Sequence, residues 1–500
     1  MGTGASTPEV GPPETVSSRL TPERTMVTAV FILVFALGAR LVIDTDVWWH
    51  IRAGATTLDS GVIRHDPFSF TKAGVSWIDH SWGSEVIMNL LWRLLGYGGL
   101  ELMTGALALV GGWLVFRMSS GDTYLRALAV AFASLTASIF WTPRPQMFSY
   151  ALTAAVLYVL YLRRARGIDA LWLLPVLMLA WANLHGAFAI GFVMIAATIV
   201  GESLENLVAR DERGPLGWTA VRKLTLVGAV SVAAVCVNPY GPRLLGVPFA
   251  TAGGSFTGQI EEWQAPDFAR AGFWPFGVML ALLIVSLVVS RKRAGWTDLI
   301  LCAVATLLAL SAGRNVSIFA VVVTPVLTYH LGGLLEERGW VVRPMRRASR
   351  PVAALNAVLI LIVGGVAATF VLEPFDSGKL EAAKRSTLPV DAVSYLQEHP
   401  PDGRLFNEYA FGGYLIYALP DVPVFVDGRS DLYGGAFLDE YLSISSGGPG
   451  WERQLERYGV GTVLVSRLSG LSTVLRDNAD WKLEYEDGLA TVFGRKSQLH

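Results

Sequence analysis

Apolar stretches of membrane-spanning length recur along the chain as far as residue 372 and then stop. About 20 apolar residues in a helix cross the hydrocarbon core of a bilayer. The pattern therefore predicts a multi-pass α-helical membrane protein with about eleven transmembrane helices. These lie near residues 25–43, 98–116, 123–141, 146–162, 171–184, 186–204, 222–237, 272–290, 297–312, 316–333 and 352–372. A further apolar segment, 83–95, is predicted to lie along the membrane surface.

The positions of Lys and Arg predict the side that each loop faces, because cytoplasmic loops carry more of these residues. With the N-terminus inside, the inner loops hold Arg117, Arg126, Arg163, Arg164, Arg166, Arg210, Arg213, Arg222, Lys223, Arg291, Lys292, Arg293, Arg338, Arg343, Arg346, Arg347 and Arg350. Outer loops hold only scattered cations. Counting 83–95 as a span would put the cluster that starts at Arg163 outside. We therefore predict a plasma-membrane protein whose C-terminal segment lies outside.

The composition agrees with this interpretation. The chain is 52% hydrophobic and only 16% charged, whereas soluble domains are about a quarter charged. The net charge of −1 gives no basis for binding nucleic acid. Residues 1–24 are rich in Gly, Thr, Ser, Pro and Glu and are predicted to be disordered in the cytoplasm. The first apolar run has no cleavage site of small residues and should remain as a signal anchor.

After residue 375 the pattern becomes that of a soluble domain. Residues 376–500 are predicted to form an extracytoplasmic α/β domain. Predicted helices at 389–399, 451–458 and 470–476 alternate with predicted strands at 404–406, 422–426, 462–465, 481–485 and 490–494. Asp427-Gly428-Arg429-Ser430-Asp431 follows one strand, where α/β folds place ligands, although a structural turn network is the simpler interpretation. With no Gly-rich phosphate loop or nucleophile elbow in this segment, we expect no second enzyme.

Two outer loops of the transmembrane domain (25–375) are too long to be simple connections: residues 44–97 and 238–271. The first opens with Asp44, Asp46, His50 and Arg52, and continues to Asp79 and His80. Carboxylates at a membrane surface lose hydration, so they need partners or a cation. Carboxylates, imidazoles and indoles together suit a polar, ring-shaped, anionic ligand.

The second long loop combines a flexible Gly253-Gly254-Ser255 stretch with Glu261 and Glu262, a combination that predicts a lid over a site. Shorter outer turns add Arg144, His185 and Arg314. All of these residues are predicted on the same side of the membrane. Their convergence is the main functional signal of the sequence.

Each candidate also has a structural interpretation. Asp44 and Asp46 can form a solvated ion pair with Arg52. Arg144 and Arg314, at the ends of spans, can reach the interface without binding a ligand. The histidines can be structural, and paired loop acids such as Glu261 and Glu262 are often only solvated. These alternatives stay open at this point.

At these residues the chain resembles the GT-C superfamily of membrane glycosyltransferases, which includes the oligosaccharyltransferase catalytic subunit and the protein mannosyltransferases. The first outer loop resembles the acid-x-Asp pattern of the oligosaccharyltransferase, which continues with an aromatic residue, Asn and Arg. The matching residues are Asp44, Asp46, Trp48, His50 and Arg52, with His50 in place of Asn. Glu261 or Glu262 resembles the acid of a later mobile loop. In the tail, residues 408–414 resemble the Trp-Trp-Asp-Tyr-Gly-Tyr stretch without its tryptophan pair.

The resemblance implies transfer of a sugar from a polyprenyl-phosphate donor to a glycan, lipid or protein acceptor at the outer face. Asp44 or Asp46 would be the general base. Arg144, His185 and Arg314 would bind the donor phosphate. The loop and acceptor residues would be His50, Arg52, Asp79, His80, Glu261 and Glu262. A divalent cation is left open, with Asp44 and Asp46 as its ligands if one is bound, because Arg144-Pro145-Gln146 replaces the family's second acidic pair.

Two other classes of function remain. A transporter or lipid-linked-sugar flippase is disfavoured, because the charged residues collect at the ends of spans and no pair of broken spans marks an inverted repeat. A non-catalytic membrane scaffold would be indicated if Asp44, Asp46 and the Glu261 loop faced away from any common cavity.

Overall fold

The computed structural model describes residues 19–211, 214–254, 258, 260–340, 342 and 344–496. Of the segment predicted to be disordered, residues 1–18 lie outside this part of the chain, and a helix begins at Pro22. The helices before the C-terminal segment are α1 (Pro22–Gly38), α2 (Val47–Ser60), α3 (Trp82–Met118), α4 (Thr123–Ala137), α5 (Gln146–Arg166), α6 (Leu173–Leu184), α7 (Ala189–Leu207), α8 (Trp218–Val235), α9 (Val247–Ala252), α10 (Trp274–Val289), α11 (Trp296–Ser311), α12 (Val316–Glu337) and α13 (Arg350–Leu372).

A helix is found at every predicted span. Among the described residues, seven helical segments are long and apolar enough to cross a bilayer. Helices α6 and α11 are apolar but shorter, with 12 and 16 residues. The prediction of a multi-pass helical membrane protein is confirmed, while the count of eleven spans stays a prediction.

Helix α3 contains both the predicted surface segment and the second predicted span. Its 37 residues would extend for about 55 Å, well beyond the hydrocarbon core of about 30 Å. The helix bends at Gly96, whose φ of 61° is favourable for glycine. Before the bend, Leu90 and Leu94 are exposed, while Asn89 Nδ2 donates to the Ile51 carbonyl of α2, 2.9 Å away. This segment therefore packs on α2 through one side and presents apolar side chains on the other.

The membrane bundle is built around α12, in which 78% of the most apolar window is buried, against 11% for α13 at the periphery. At the end of the bundle opposite the long loops, Arg164 of α5 is an ionic junction between helices. Its Nε lies 2.6 Å from Glu202 of α7, and its Nη1 lies 2.9 Å from Asp298 of α11. Charges removed from water are tolerated when they are paired in this way.

The C-terminal segment forms a small α/β layer, as predicted. Its elements are α14 (Ser377–Thr387), α15 (Val390–Glu398), β1 (Arg404–Asn407), α16 (Tyr409–Ala418), α17 (Ser430–Tyr433), α18 (Gly435–Ser445), α19 (Trp451–Arg457), β2 (Val460–Ser466), α20 (Gly470–Arg476), β3 (Trp481–Glu486) and β4 (Ala490–Arg495). The sheet order is β1-β2-β4-β3. Strands β1 and β2 are parallel, and β4 is antiparallel to β2 and to β3. The alternating apolar residues of β2 and β4 fill the layer beneath the helices.

The predicted strand at residues 422–426 is wrong. This segment is extended and buried, but it does not join the sheet. Instead, the backbone of Val424 pairs with the first outer loop: its N–H donates to the Phe68 carbonyl at 3.0 Å, and its carbonyl accepts from the Phe70 N–H at 3.1 Å. The apolar pattern was typical of a strand, but a pattern does not specify the partner.

The first outer loop and the tail share one hydrophobic core. Trp48 of α2 is 1% exposed and packs against Tyr97 of α3 and Tyr414 of α16. Helices α2 and α16 approach closely at Gly413, where a Cβ would lie 2.4 Å from the Thr45 carbonyl oxygen. The tail is therefore packed onto the first outer loop over an extended apolar surface.

A buried ion cluster joins the same two parts of the chain. The Arg429 side chain is fully buried; its Nε and Nη2 donate to Asp427, and its Nη1 donates to Asp66 of the first outer loop, each at 2.7 Å. The Tyr433 hydroxyl donates to Asp427 at 2.7 Å. This is the turn network that was predicted around Asp427, extended by a carboxylate from a distant loop.

Replacing Arg429 by Met should destabilise the protein strongly, because the buried carboxylates of Asp66 and Asp427 would lose their counter-ion. We expect a loss of about 3–5 kcal/mol, measured as a lower thermal midpoint in detergent and faster proteolysis of the tail. The control is Arg467→Met, since Arg467 is 52% exposed beside Glu486 and should contribute less than about 1 kcal/mol. Equal midpoints for the two variants would contradict this account of the cluster.

Candidate functional site

A polar cavity of about 470 Å³ lies where both outer loops, the short turns between helices and the tail meet. Nine of the predicted site residues line it: Asp46, His50, Asp79, His80, Arg144, His185, Glu261, Glu262 and Arg314. The convergence that the sequence indicated is therefore present in the fold. The structure also shows which of these side chains contact one another.

Arg144 is the electrostatic centre of the cavity. It follows α4 in a tight turn, and its guanidinium faces three carboxylates. Its nitrogens lie 3.5 Å from Asp44 Oδ2, 3.1 Å from Asp46 Oδ2 and 3.4 Å from Glu262 Oε2. The Asp44 Oδ1 accepts the Asp46 N–H at 2.9 Å, which turns the chain into α2. Carboxylates from both long outer loops therefore contact the same guanidinium group.

Glu262 bridges two arginines. Its Oε1 lies 3.2 Å from Arg314 Nη1, while its Oε2 faces Arg144. The Arg314 guanidinium also lies over the Trp263 ring, 4.4 Å from the centroid, which is a favourable cation–π contact. Two guanidinium groups that converge on one point can bind an anionic group between them.

The carboxyl groups of Asp46 and Glu262 have opposite electrostatic environments. Burial raises the pKa of Asp46 to about 6, despite Arg144, and the neighbouring Asp44 and Glu262 carboxylates raise it further. Burial would also raise the pKa of Glu262, but Arg144 and Arg314 outweigh it and lower that pKa. Glu262 is therefore the firmly ionised member, while Asp46 gains a proton near pH 6.

His185 lies in the turn between α6 and α7. Its Nδ1 is 2.7 Å from Ser149 Oγ, and the same oxygen accepts the Trp181 indole N–H at 2.7 Å. The Ser149 hydroxyl can donate its hydrogen to His185 Nδ1 while it accepts the indole N–H, and in this tautomer the ring proton is on Nε2. Burial lowers the pKa of His185, with help from His80 and Arg314. A neutral imidazole with an Nε2–H donor is the result.

A second cavity of about 240 Å³ adjoins the first and is mostly apolar. The residues that line both cavities are His80, Gln146, His185, Thr251, Trp263 and Arg314. Deeper in this cavity lie apolar side chains such as Tyr150, Ile190 and Ile318. The polar and apolar cavities therefore adjoin at Arg314 and His185.

Behind the cavity wall lies a group of buried acids. Asp79 and Glu85 are both 0% exposed, and among the described residues Asp79 Oδ2 and Glu85 Oε2 have no hydrogen-bond partner. Glu85 Oε1 lies 2.8 Å from His50 Nδ1. Burial raises the pKa of Asp79. Asp79 and His50 line the cavity, whereas Glu85 joins them from behind.

Three predicted site residues lie away from the centre of the cavity. Asp44 does not line the cavity; its oxygens are engaged by the Asp46 N–H and by Arg144. Arg52 is also absent from the cavity, because a position two residues after His50 points to the other side of α2. Glu261 reaches only the rim: its side chain is 75% exposed and pairs with Arg270.

The tail contributes lining residues outside the predicted site set: Tyr409, Ala410, Gly428, Arg429, Ser430 and Asp431. Asp431 Oδ2 accepts the Trp77 indole N–H at 3.1 Å and lies 4.0 Å from His80 Nε2. At Gly428 a Cβ would lie 1.9 Å from Asp46 Oδ1. The position of residues 427–431 after an apolar run was the available signal.

The divalent cation that the resemblance left open does not fit these residues. The Arg144 guanidinium lies between Asp44 and Asp46 and neutralises the two carboxylates that would have to hold the metal. Within the described ranges, no group of three or more His, Cys, Asp or Glu side chains has the spacing of a metal site. No step below is assigned to a metal.

Solved structures with the same architecture are membrane glycosyltransferases. Archaeal oligosaccharyltransferase AglB from Archaeoglobus fulgidus, with an inhibitory peptide and a dolichol-phosphate, is 12% identical; the match covers 89% of this chain and 69% of that chain, with a TM-score of 0.58. ArnT from Cupriavidus metallidurans, bound to undecaprenyl phosphate, is 15% identical over 95% of this chain and 98% of that chain, with a TM-score of 0.52. The chain has the GT-C fold.

Arabinofuranosyltransferase AftD from Mycobacteria has this fold as well. It is 14% identical, and the match covers 96% of this chain and 40% of that one, with a TM-score of 0.52. No protein-family model and no curated protein sequence matches the chain. The GT-C architecture, with its C-terminal domain, is thus the feature that this chain shares with these enzymes.

Asp46→Asn should stabilise the protein near neutral pH. The folded-state pKa of about 6 exceeds the ordinary value of 3.8, so ionised Asp46 opposes folding above pH 6, and this cost disappears as the pH falls towards 3.8. A two-unit difference corresponds to at most about 3 kcal/mol.

Thermal midpoints at pH 7.5 and 4.5 test this, with exposed Asp59→Asn of α2 as the control. The Asp46 variant should gain stability at pH 7.5 and little at pH 4.5. A loss of stability at pH 7.5 would show instead that the contact between Asp46 and Arg144 dominates.

Proposed function

We propose that the protein is a glycosyltransferase that moves a sugar from a polyprenyl-phosphate donor to an acceptor at the outer face of the plasma membrane. One observation carries the proposal: a polar cavity with two arginines opens into an apolar cavity at the end of a GT-C bundle. A lipid phosphate has the same division into an anionic head and an apolar chain. The AglB and ArnT structures hold lipids of this class, dolichol-phosphate and undecaprenyl phosphate.

The donor phosphate would lie at the junction of the two cavities. Arg314 and Arg144 supply the positive charge, and the His185 Nε2–H supplies a neutral donor. Negative charge grows on the phosphate as its bond to the sugar breaks, and preorganised donors stabilise that charge most. The first isoprene units would follow the apolar cavity past Ile190 and Ile318 towards the bilayer.

Glu262 would be the counter-ion that the donor displaces. It now bridges Arg144 and Arg314, and it belongs to the loop predicted to be a lid. Binding of the phosphate would release this carboxylate and move the loop that carries it. The lid and the donor would then be coupled through competition for the same two guanidinium groups.

Asp46 would act by holding Arg144. Its Oδ2 faces the guanidinium, and its Oδ1 lies against Gly428 of the tail. Through this ion pair Asp46 would orient Arg144 towards the donor phosphate. The tail residues Tyr409 and Asp431 line the opposite wall, where an acceptor would approach.

The outer location rests on the distribution of charged residues along the chain, which predicts the arginine-rich loops inside. A scaffold is disfavoured because Asp46 and Glu262 face one common cavity. A transporter is disfavoured because the ionised groups of the cavity lie in turns at one end of the helices. The acceptor would therefore be a molecule exposed at the outer surface.

Arg314→Met and Arg144→Met should each weaken binding of undecaprenyl phosphate to the protein in nanodiscs. Loss of a charged hydrogen bond costs about 1.5–3 kcal/mol, which is about a 10- to 100-fold change in Kd. Glu262→Gln should tighten binding, because the competing carboxylate loses its charge. The control is Arg93→Met, which alters an exposed arginine in the first half of α3.

Sugar transfer is tested with polyprenyl-phosphate mannose, glucose and arabinofuranose, each radiolabelled, in membranes that contain the natural acceptor. Equal binding by the wild type and both arginine variants would contradict the donor site. Donor binding without transfer in any membrane preparation, together with transport of the lipid-linked sugar, would replace the proposal with a flippase.

A further inference from the structure

His50 is held by a carboxylate on one side and faces the cavity on the other. Its Nδ1 is 2.8 Å from Glu85 Oε1, and the side chains are 6% and 0% exposed. Since Nδ1 is engaged by Glu85, the proton-accepting position left to the ring is Nε2. His50 lines the cavity, and Glu85 does not. An imidazole held at Nδ1 by a buried carboxyl group presents Nε2 to the cavity in a fixed orientation.

Asp79 completes this arrangement. Its Oδ2 and Glu85 Oε2 are buried, and the described residues offer neither atom another hydrogen-bond partner; its Oδ1 accepts the Ser81 N–H at 3.1 Å. Two buried carboxyls in contact do not both ionise, so the pair holds one proton and one negative charge. With that proton shared between Asp79 Oδ2 and Glu85 Oε2, Glu85 Oε1 is left to accept the His50 Nδ1–H. His50 Nε2 then carries a lone pair.

Asp46 is one helical turn before His50 but has a different environment. Its Oδ2 is 3.1 Å from Arg144, and its Oδ1 is crowded by Gly428. The guanidinium thus engages one oxygen of this carboxylate. His50 is the nearby cavity residue whose second polar atom is available.

We propose that His50 is the general base that removes the proton from the acceptor hydroxyl, with Glu85 and Asp79 as positioning residues. The inference rests on the proposed function. In the step, the acceptor oxygen attacks the anomeric carbon, the bond from that carbon to the phosphate oxygen breaks, and the phosphate leaves with the electron pair. The acceptor proton moves to His50 Nε2. The resulting imidazolium is balanced by the single negative charge of the Glu85–Asp79 pair until the proton passes to water.

The protonation of His50 depends on the charged and titratable groups that face it and its partners: Asp79, His80, Glu85, Arg144, His185, Arg429 and Asp431. Burial lowers the pKa of His50 well below its ordinary value of 6.5, and Arg144 and the other histidines lower it further. The base is therefore unprotonated at neutral pH. Transfer should lose activity only at acid pH, below about 6.5.

The first experiment compares kcat for sugar transfer against pH in the wild type, His50→Gln and the exposed control His65→Gln. General-base catalysis contributes about 10²–10⁴ in rate, so His50→Gln should lower kcat by at least about 100-fold and abolish the acid limb. Its Kd for undecaprenyl phosphate should stay within about twofold of the wild-type value. His65→Gln should match the wild type in every measurement.

The second experiment needs no turnover. Diethyl pyrocarbonate modifies unprotonated imidazole nitrogens, and peptide mass spectrometry gives the rate at His50. Glu85→Gln can donate its amide N–H to Nδ1 and so place the ring proton on Nε2. Modification of His50 at pH 7 should therefore slow at least about fivefold in this variant. If that variant does not fold, the pH dependence of modification in the wild type gives the His50 pKa directly.

Full transfer activity with an unchanged acid limb in His50→Gln would overturn the inference and leave the donor site intact. Equal modification rates in the wild type and Glu85→Gln, or a His50 pKa at or above 6.5, would overturn it as well. Loss of undecaprenyl phosphate binding by the wild type would instead count against the proposed function. The two failures are thus distinguishable.

Discussion

The geometry of the site depends on the buried ion pairs of Arg429 with Asp66 and Asp427. The guanidinium is shared between Asp427 of the tail and Asp66 of the first outer loop, without access to water. This ion cluster holds Gly428 against Asp46 and places Asp431 beside Trp77. The cavity wall is built from both parts of the chain. The tail is therefore a structural component of the site.

The outline of the fold was predictable because a bilayer imposes strict requirements on a sequence. Spans must be apolar and about 20 residues long, so most helices were located within a few residues. The convergence of Arg144, His185 and Arg314 followed from placing their turns on one side. Long-range partners were not predictable in the same way. Residues 422–426 had the pattern of a strand, yet Val424 pairs with a loop more than 350 positions earlier.

The errors in the site have the same origin. Asp44 and Asp46 were treated as equivalent, but only one of them lines the cavity, because the Asp44 side chain closes the turn that starts α2. The replacement of an acidic pair by Arg144 was visible in the sequence. That the Arg144 guanidinium takes the place of a metal ion became clear only from its distances to Asp44 and Asp46. Glu85 was visible too, but its partner His50 is 35 positions away, and no local pattern links them.

The carboxylate of Glu262 between two arginines also sets a threshold for what can enter the site. A free inorganic anion would gain two guanidinium contacts only by breaking two that already exist, so its net gain is small. A prenyl phosphate brings additional free energy from its chain, about 0.8 kcal/mol for each buried CH₂ group. The protein would thus recognise the head and the tail of its ligand only in combination. Small phosphates in the surroundings would therefore not displace Glu262 from the two arginines.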